Sequence, residues 1–368
     1  MKGDIIELPT RHDEAWRWAD LRHAHDIGNT PPPANDMLPE IDQHWLDIPG
    51  LRHLTVAGHP VGDSTLNTTA SPDRTLPRHP LADLAAASAR SGATVRLAAD
   101  EDGGTIQLLH IGTAGAAHSV TRVELSAGAR LTLIETFADE RRDHWLNHRM
   151  DAFLGEGAVL VRIVRVKTAH GLVSERGAVS LASNARFTQL VIASAGSALR
   201  SEAHVTLDGA HAHAVVNGIL LGDGHAALDA LTKVEHRVPE TSSNQTFRLV
   251  AAGQSQVSIA GGISVARHAQ KTDAEQSLKA LVLKRTAAAN LKPELEIYAD
   301  DVKCAHGCTV GELDKGALFY LQSRGVPRLQ AQALLTQAFV ADALGVIKEE
   351  PLHSALDREA RAWLEART

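Results

Sequence analysis

The sequence predicts a mainly β protein that ends in a small helical domain. Of its 368 residues, 44% are hydrophobic and 22% are charged, a balance typical of a folded chain and not of a disordered one. Short alternating runs of apolar and polar residues dominate from about Thr94 to Leu313, and this period of two indicates strands. After Leu313 the apolar residues recur every three or four positions, which indicates helices.

The charge and hydropathy patterns exclude several classes of protein. A formal net charge of −7 at pH 7 provides no chain-wide basic surface for nucleic acid. Residues Met1 to Thr10 include Asp4 and Glu7 and lack the apolar stretch of a signal peptide. No run approaches the roughly 18 apolar residues that a membrane span needs. We therefore expect a cytoplasmic protein with neither a membrane nor a nucleic-acid partner.

Turn-forming residues divide the N-terminal region, which we place at residues 1–75. Pro31 to Pro33, Pro39 and Pro49-Gly50 prevent long regular elements there. A short helix is expected from about Asp13 to His25, where charged residues alternate with large apolar ones. This region is therefore predicted to be partly helical and rich in proline.

Residues 76–312 are predicted to form the β core, with strands of about five residues. A turn residue followed by an alternating run recurs with a loose period of about 25 to 30 residues, which is typical of the coils of a solenoid. Short, evenly spaced strands also fit a β-sandwich, so the pattern alone leaves both architectures open. The predicted turns are at Gly128, Gly157, Asn184, Gly209, Gly224, Gly253 and Asn290.

Residues 313–368 are predicted to form the helical domain. A first helix opens near Leu313 and ends at Gly325, because glycine there and Pro327 just beyond are typical of a helix C-terminus. Leu335 and Phe339 belong to a broad apolar stripe further on. Such a stripe serves either internal packing or docking of another protein.

Both cysteines of the chain lie in one short segment, as Cys304 and Cys308, with His306 between them. On an extended strand these three side chains share one face. Two thiols and an imidazole are soft donors suited to zinc, iron or an iron–sulfur cluster. Four residues of strand separate the thiols by about 13 Å, so one metal cannot gather all three groups. A partner chain or a second copy would have to complete the site; the alternative is structural packing with a surface histidine.

Other combinations of polar residues give weaker indications of a functional site. Asp300 and Asp301 are adjacent, and on a strand they would point to opposite faces, which argues against a catalytic carboxylate pair. The sequence contains no P-loop, no nucleophile elbow and no HExxH motif, so nothing in it would bind ATP by itself. Four histidines cluster further upstream, two of which would share a strand face, but surface histidines are the expected explanation: His204, His211, His213 and His225.

Several segments closely resemble the SufB/SufD family of iron–sulfur cluster assembly proteins. The resemblance touches both ends of the chain and is dense from about residue 236 to residue 345. Its motifs are Leu8 to Arg17, Ala269 to Gln276, Lys292 to Ile297, Ala299 to Gly311 and Leu318 to Gly325. Within the family the SufD branch is favoured, because the chain lacks the further cysteines expected of a cluster scaffold.

The resemblance implies a fold and a role. The fold would be a right-handed parallel β-helix between a small N-terminal region and a C-terminal helical domain. The role would be that of a non-enzymatic subunit that pairs with SufB through the β-helix end and docks the SufC ATPase through its C-terminal helices. Iron or a nascent cluster would be held at the subunit interface, with no cofactor bound tightly to this chain alone.

The resemblance also implies roles for two donors. His306 matches an interfacial histidine implicated in cluster formation or iron acquisition, and Cys304 matches the neighbouring cysteine. Cys308 stands where the family usually has alanine, so no role is carried over to it. Two alternatives remain: a stand-alone metal-binding homodimer built from two copies of Cys304 and His306, and a β-solenoid carbohydrate-active enzyme.

Overall fold

The computed structural model describes residues 8–32, 41–62, 66–68, 78–89, 92–139 and 144–366. Within them the chain forms a parallel β-solenoid of two facing sheets, with helices near both ends. The predicted mainly β fold class and its solenoid core are therefore confirmed. The predicted breaks at Pro33 and Pro39 lie outside the described residues, as do residues 1–7.

Sheet 1 contains the strands β1 (Leu51–Val56), β2 (His59–Val61), β5 (Asp102–Gly112), β7 (Arg130–Asp139), β9 (Val159–Lys167), β11 (Arg186–Ala193), β13 (His213–Gly222), β15 (Ser242–Ala251), β17 (Asp273–Val282) and β19 (Lys303–Gly311). Sheet 2 contains β3 (Asn67–Thr68), β4 (Gly92–Leu97), β6 (Gly115–Leu125), β8 (His144–Leu154), β10 (Leu172–Leu181), β12 (Ala198–Leu207), β14 (Ala227–His236), β16 (Gln256–Val265) and β18 (Ala288–Ile297). The helices are α1 (Arg22–Ile27), α2 (Pro80–Ser88), α3 (Lys315–Ser323), α4 (Arg328–Leu344) and α5 (Glu350–Glu365).

From β4 onward each strand pairs in parallel with the strand two places later, so the chain alternates between the sheets. One coil contains two strands and two tight turns. The prediction of strands of about five residues was wrong, because a coil of nearly thirty residues divides between only two strands. Parallel pairing throughout this region also excludes the antiparallel sandwich.

The turns that lead from sheet 2 to sheet 1 stack on one another. Each contains a residue with positive φ, and the peptide N–H of Gly128 donates to the carbonyl of Glu156 in the next turn, as that of Gly157 does to Ser183. These residues recur every 27 to 31 positions: Asp100, Gly128, Gly157, Asn184, His211, Glu240 and Lys271. The ladder of hydrogen bonds between turns offsets the strain of the left-handed conformation at the residues that are not glycine.

Five of the seven predicted turn residues have positive φ: Gly128, Gly157, Asn184, Gly224 and Gly253. One turn prediction was wrong, and one turn has its positive φ at a different residue. Gly209 does lie in the turn before β13, although His211 has the positive φ there, whereas Asn290 lies inside β18 and not in a turn. The real period is more regular than the glycine pattern suggested, because charged and polar residues occupy some of the turns.

The space between the two sheets, which we call the lumen, is filled by alternate residues of the strands from β4 to β17. Leu133 and Phe137 of sheet 1 and Met150 of sheet 2 are among its fully buried residues. The outer face of sheet 1 is covered by α4 and α5, which pack Leu344 and Leu356 against its isoleucines and leucines. The N-terminal segments cover part of the outer face of sheet 2.

The helix predicted from Asp13 to His25 is replaced by a 3-10 turn at Glu14–Trp16 and by α1. The carboxylates of Asp13 and Asp20 accept hydrogen bonds from the backbone N–H groups of Thr10 and Arg22, and such local bonds compete with a continuous helix. At the other end of the chain α3 matches its prediction. The side chain of Asp314 accepts from the N–H of Ala317, and Gly325 has a φ of 86°.

Candidate functional site

The predicted donor residues lie on β19, the last strand of sheet 1. In the register with β17, Cys304 is opposite Ala274, His306 is opposite Gln276 and Cys308 is opposite Leu278. Leu278 belongs to the lumen core, so this face of β19 continues the wall of the lumen. The three side chains therefore share one face, as the alternation predicted.

The end of the solenoid leaves this face open. In the part of the chain that the structure describes, β19 and β18 are the terminal strands of their sheets and no later coil covers them. His306 and Cys308 are exposed and Cys304 is half-buried. The donors are thus accessible to another molecule while their backbone is held by the sheet.

Cys304 is the most buried of the three donors. It packs beside a small apolar cluster that includes Ile263 and Ala274. Burial, with the nearby Asp273 carboxylate as a smaller cause, raises the pKa of the Cys304 thiol. A metal that bound Cys304 would have to displace this proton.

The geometry of the strand makes the set incomplete. Neighbouring donors on one face are about 7 Å apart at Cα and the outer two about 13 Å, whereas metal–ligand bonds measure about 2.0–2.3 Å. One metal ion can therefore use at most two of these residues. The sulfur and nitrogen donors fit iron or an iron–sulfur cluster as cargo, provided that another chain supplies the remaining ligands.

Asp300 and Asp301 were expected to point to opposite faces of a strand, but they are not on a strand. They lie in the bend before β19. The N–H of Asp301 donates to Oε1 of Gln270 and its carbonyl accepts from the N–H of Lys271. The pair is part of the stacked turns, which explains its position without a catalytic role.

The histidines upstream form no common site. His211 lies in a positive-φ turn ahead of β13, so it does not share a strand face with His213, and that expectation was wrong. His213 has Ser242 Oγ 2.7 Å from its Nδ1, and His204 bonds Glu235 Oε1 at 2.9 Å. His225 is exposed.

Apolar side chains are exposed both at the open end and on the helices. Val310 of β19 and Tyr298 after β18 are 50% and 62% exposed. No residue of α3 is buried, and Phe319 and Tyr320 project from it. On α4, Leu334 borders a groove of 650 Å³ between α4 and α5. Exposed apolar side chains of this size are typical of protein interfaces.

The structure also assembles a cluster that the sequence did not reveal. His110, Glu135 and His148 are buried in the lumen, and one donor atom from each lies within 4.8 Å of the others. One signal was available: Glu135 occupies a core position in the alternating run Leu131, Leu133, Glu135, Phe137. Its partners lie on other coils, so only the strand register could identify them.

No helix in the described ranges combines the length and the apolar character needed to cross a bilayer.

Comparison with known proteins gives a consistent result. Residues 109–339 match the family model described as SUF system FeS cluster assembly, SufBD core domain. The chain is 28% identical over 281 residues to the iron–sulfur cluster assembly protein SufD of Escherichia coli, covering 66% of each chain. It is 27% identical over 226 residues to the chloroplastic protein ABCI7 of Arabidopsis thaliana, covering 60% of this chain and 48% of that protein.

A SufBD family protein from Synechocystis is 35% identical over 133 residues, which are 36% of this chain and 29% of that protein. The chain therefore spans less than two thirds of the length of these relatives. The family model, however, matches more than half of the chain and includes β19 and its three donors. The chain belongs to the SufBD family of the SUF system of iron–sulfur cluster assembly.

Proposed function

We propose that this chain is a non-catalytic, cytoplasmic subunit of a SUF assembly complex. Its β19 end pairs with a SufB-type subunit, and its C-terminal helices dock a SufC-type ATPase. Iron or a nascent cluster is the cargo at the paired end. The observation that carries this proposal is an incomplete set of soft donors on an exposed terminal strand.

Pairing through this end is supported by the backbone and by the side chains. A terminal strand presents unpaired N–H and C=O groups, which a strand of another chain can satisfy. Val310 and Tyr298 provide exposed apolar area beside them. A partner strand placed here would bring its own side chains to His306 and Cys304, which is what completion of the ligand set requires.

Docking of an ATPase is supported by the outward face of the helices. The inward face of α4 is committed to sheet 1 through Val340 and Leu344. Leu329 and Leu334 face away from it and are 50% and 45% exposed. Because the sequence has no P-loop, a partner must hydrolyse ATP, and the helices offer the surface through which its movement reaches the solenoid.

At the interface we assign the metal-ligand roles to His306 and Cys304. His306 offers an exposed imidazole, and Cys304 offers a thiolate once its proton is displaced. Cys308 is a third candidate, since it is exposed on the same face. These side chains hold cargo and catalyse no reaction of their own.

The test compares His306→Ala with His268→Ala, which changes an exposed histidine in a turn. Each is co-expressed with SufB and SufC, and the complex is isolated by size-exclusion chromatography. We expect both variants to form the complex, with cluster content measured by absorbance and iron analysis lost only in His306→Ala. Failure of the wild-type chain to co-elute with SufB and SufC, or full cluster content in His306→Ala, would refute the proposal.

The exposed terminal strand also favours a second candidate, a homodimer in which two copies share the metal. Light scattering of the isolated chain with and without Fe²⁺ distinguishes the two. A metal-dependent dimer that His306→Ala abolishes supports the homodimer, and a monomer in both conditions counts against it. Asp300 and Asp301, the carboxylates that a β-solenoid carbohydrate-active enzyme would use, form part of a turn, so they do not support that function.

A further inference from the structure

A cluster of imidazole and charged side chains is buried near the N-terminal end of the lumen. His110 lies on β5, Glu135 on β7 and His148 on β8, with 4%, 0% and 1% of their surface exposed. Their donor atoms converge to within 4.8 Å. In this apolar interior each polar group needs a partner, because an unpaired one destabilises the fold.

One atom of this cluster has no partner among the described residues. Nδ1 of His110 lies 2.8 Å from the hydroxyl oxygen of Thr55, and that hydroxyl is 3.4 Å from the carbonyl of Leu109. If the hydroxyl donates to the carbonyl, it accepts from Nδ1–H. Nε2 of His110 is then left with a lone pair, and it is buried without a hydrogen bond. A second bond that fixes the tautomer in this way is characteristic of histidines that ligate metals.

The hydrogen bonds of His148 and Glu135 also allow a nitrogen lone pair to face the site. Nδ1 of His148 lies 2.8 Å from Oγ of Ser119, and its Nε2 lies 2.9 Å from Oε1 of Glu135. When Ser119 accepts the Nδ1 proton, the Nε2 lone pair faces the carboxylate. The site between them then requires a cation, which can be a proton or a metal ion.

The local charge favours a cation as well. Arg162 forms ion pairs with Glu135 at 2.6 Å and with Glu175 at 2.9 Å, and all three side chains are buried. Two carboxylates face one guanidinium, so one negative charge remains in the lumen when the histidines are neutral. Buried charge of this kind is stabilised when an ion of opposite sign is bound.

We propose that His110, Glu135 and His148 bind a divalent first-row transition metal, with Nε2 of both histidines and a carboxylate oxygen as ligands. Two imidazoles and one carboxylate, with further positions open, suit Zn²⁺ or Fe²⁺ and do not suit Mg²⁺ or Ca²⁺. The ring of His110 is held against Phe137, with centroids 4.9 Å apart, so one ligand is fixed in orientation before the metal binds.

This site is independent of the proposed function. Seven strand-to-strand steps of sheet 1 separate β5 from β19, which at about 4.8 Å a step is roughly 34 Å. Metal at the two sites can therefore be distinguished by mutating one set of donors.

The test uses the full chain with the edge donors removed (Cys304→Ser, His306→Ala, Cys308→Ser). Zn²⁺, anaerobic Fe²⁺ or Mg²⁺ is added to the native protein and, separately, during refolding, since burial can slow entry. Bound metal is measured by mass spectrometry after desalting. We expect one equivalent of Zn²⁺ or Fe²⁺, none of Mg²⁺, and a higher melting temperature with metal.

Two further substitutions, each in this background, test the ligand assignment. His110→Leu should abolish binding, and Thr55→Val should weaken it roughly 10–100-fold by removing the partner of Nδ1. Circular dichroism checks that each variant is folded. Absence of metal from the edge-depleted chain under both loading conditions would overturn the proposal, as would unchanged binding in folded His110→Leu or Thr55→Val. In that case the cluster is an ion-pair network, and His110→Leu should instead raise the melting temperature without metal.

Discussion

Cys304 and His306 show what strand alternation can and cannot predict. Their common face follows from a period of two, and the structure places both on β19 as expected. Their exposure depends on a different fact, that no later coil covers this strand in the described chain. Interior residues of the same parity, such as Leu278, are fully buried, so the sequence pattern alone cannot distinguish a donor from a core residue.

His236 provides a prediction about pH. It is buried at the end of β14, with Thr241 Oγ1 2.8 Å from its Nδ1 and Ser243 Oγ 2.9 Å from its Nε2. Burial lowers its pKa to about 4. The folded protein therefore favours the neutral ring. The resulting contribution of His236 to the unfolding free energy is complete above pH 6.5 and is lost as the pH falls towards 4.

We expect the wild-type chain to lose about 2 kcal/mol more unfolding free energy than His236→Gln between pH 7 and pH 5. Urea denaturation at a series of pH values measures the difference, and exposed His268→Gln is the control. Equal pH slopes in the wild type and in His236→Gln would show that His236 does not titrate in this way.

At the level of elements, β19 has two parts in the proposed function. Its free edge would pair with SufB, and its side chains would hold the cargo at the same interface. Val310 lies on the face of β19 that also bears the donors, so a lysine there would place a charge within the proposed SufB interface. We expect Val310→Lys to reduce co-elution with SufB while leaving the melting temperature unchanged, since Val310 is half exposed. Thr309→Lys, on the opposite face of the same strand, is the matched control.

Pairing that both substitutions leave intact would show that β19 is not the SufB surface. A loss that is equal in both would indicate a general effect of charge on the strand.

The turns illustrate the limits of reading elements from residue types. Gly128 and Gly157 were recognisable, because glycine adopts positive φ without strain. His211, Glu240 and Lys271 adopt it too, supported by hydrogen bonds from one stacked turn to the next. That support comes from neighbouring coils, so no local pattern reports it.

On the scale of the whole molecule, the helical domain and the solenoid share a core. Val340, Leu344 and Trp363 pack with Ile163 and Ile219 of the outer face of sheet 1. The domain boundary at residue 313 therefore stays a prediction. Removal of the helices would expose the apolar outer face of sheet 1.

We expect deletion after Gly325 to lower the melting temperature and to cause aggregation, for this reason. Leu334→Asp, at an exposed site, should change stability by no more than about 0.5 kcal/mol while weakening SufC binding. Differential scanning calorimetry and a SufC pull-down measure the two effects. A deleted chain as stable as the intact one would contradict the shared core, and unchanged SufC binding by Leu334→Asp would contradict the docking surface on α4.

The sequence by itself determined the mainly β class, the C-terminal helices, the family resemblance that implies the solenoid, and the three donors on one strand face. Each follows from local period, local turn chemistry or a contiguous motif. Only the tertiary structure decided which strand ends the sheets, which turns adopt positive φ and that His110, Glu135 and His148 meet. These properties depend on parallel register between coils, which brings together residues that lie far apart in the chain and carry no mark of one another in the sequence.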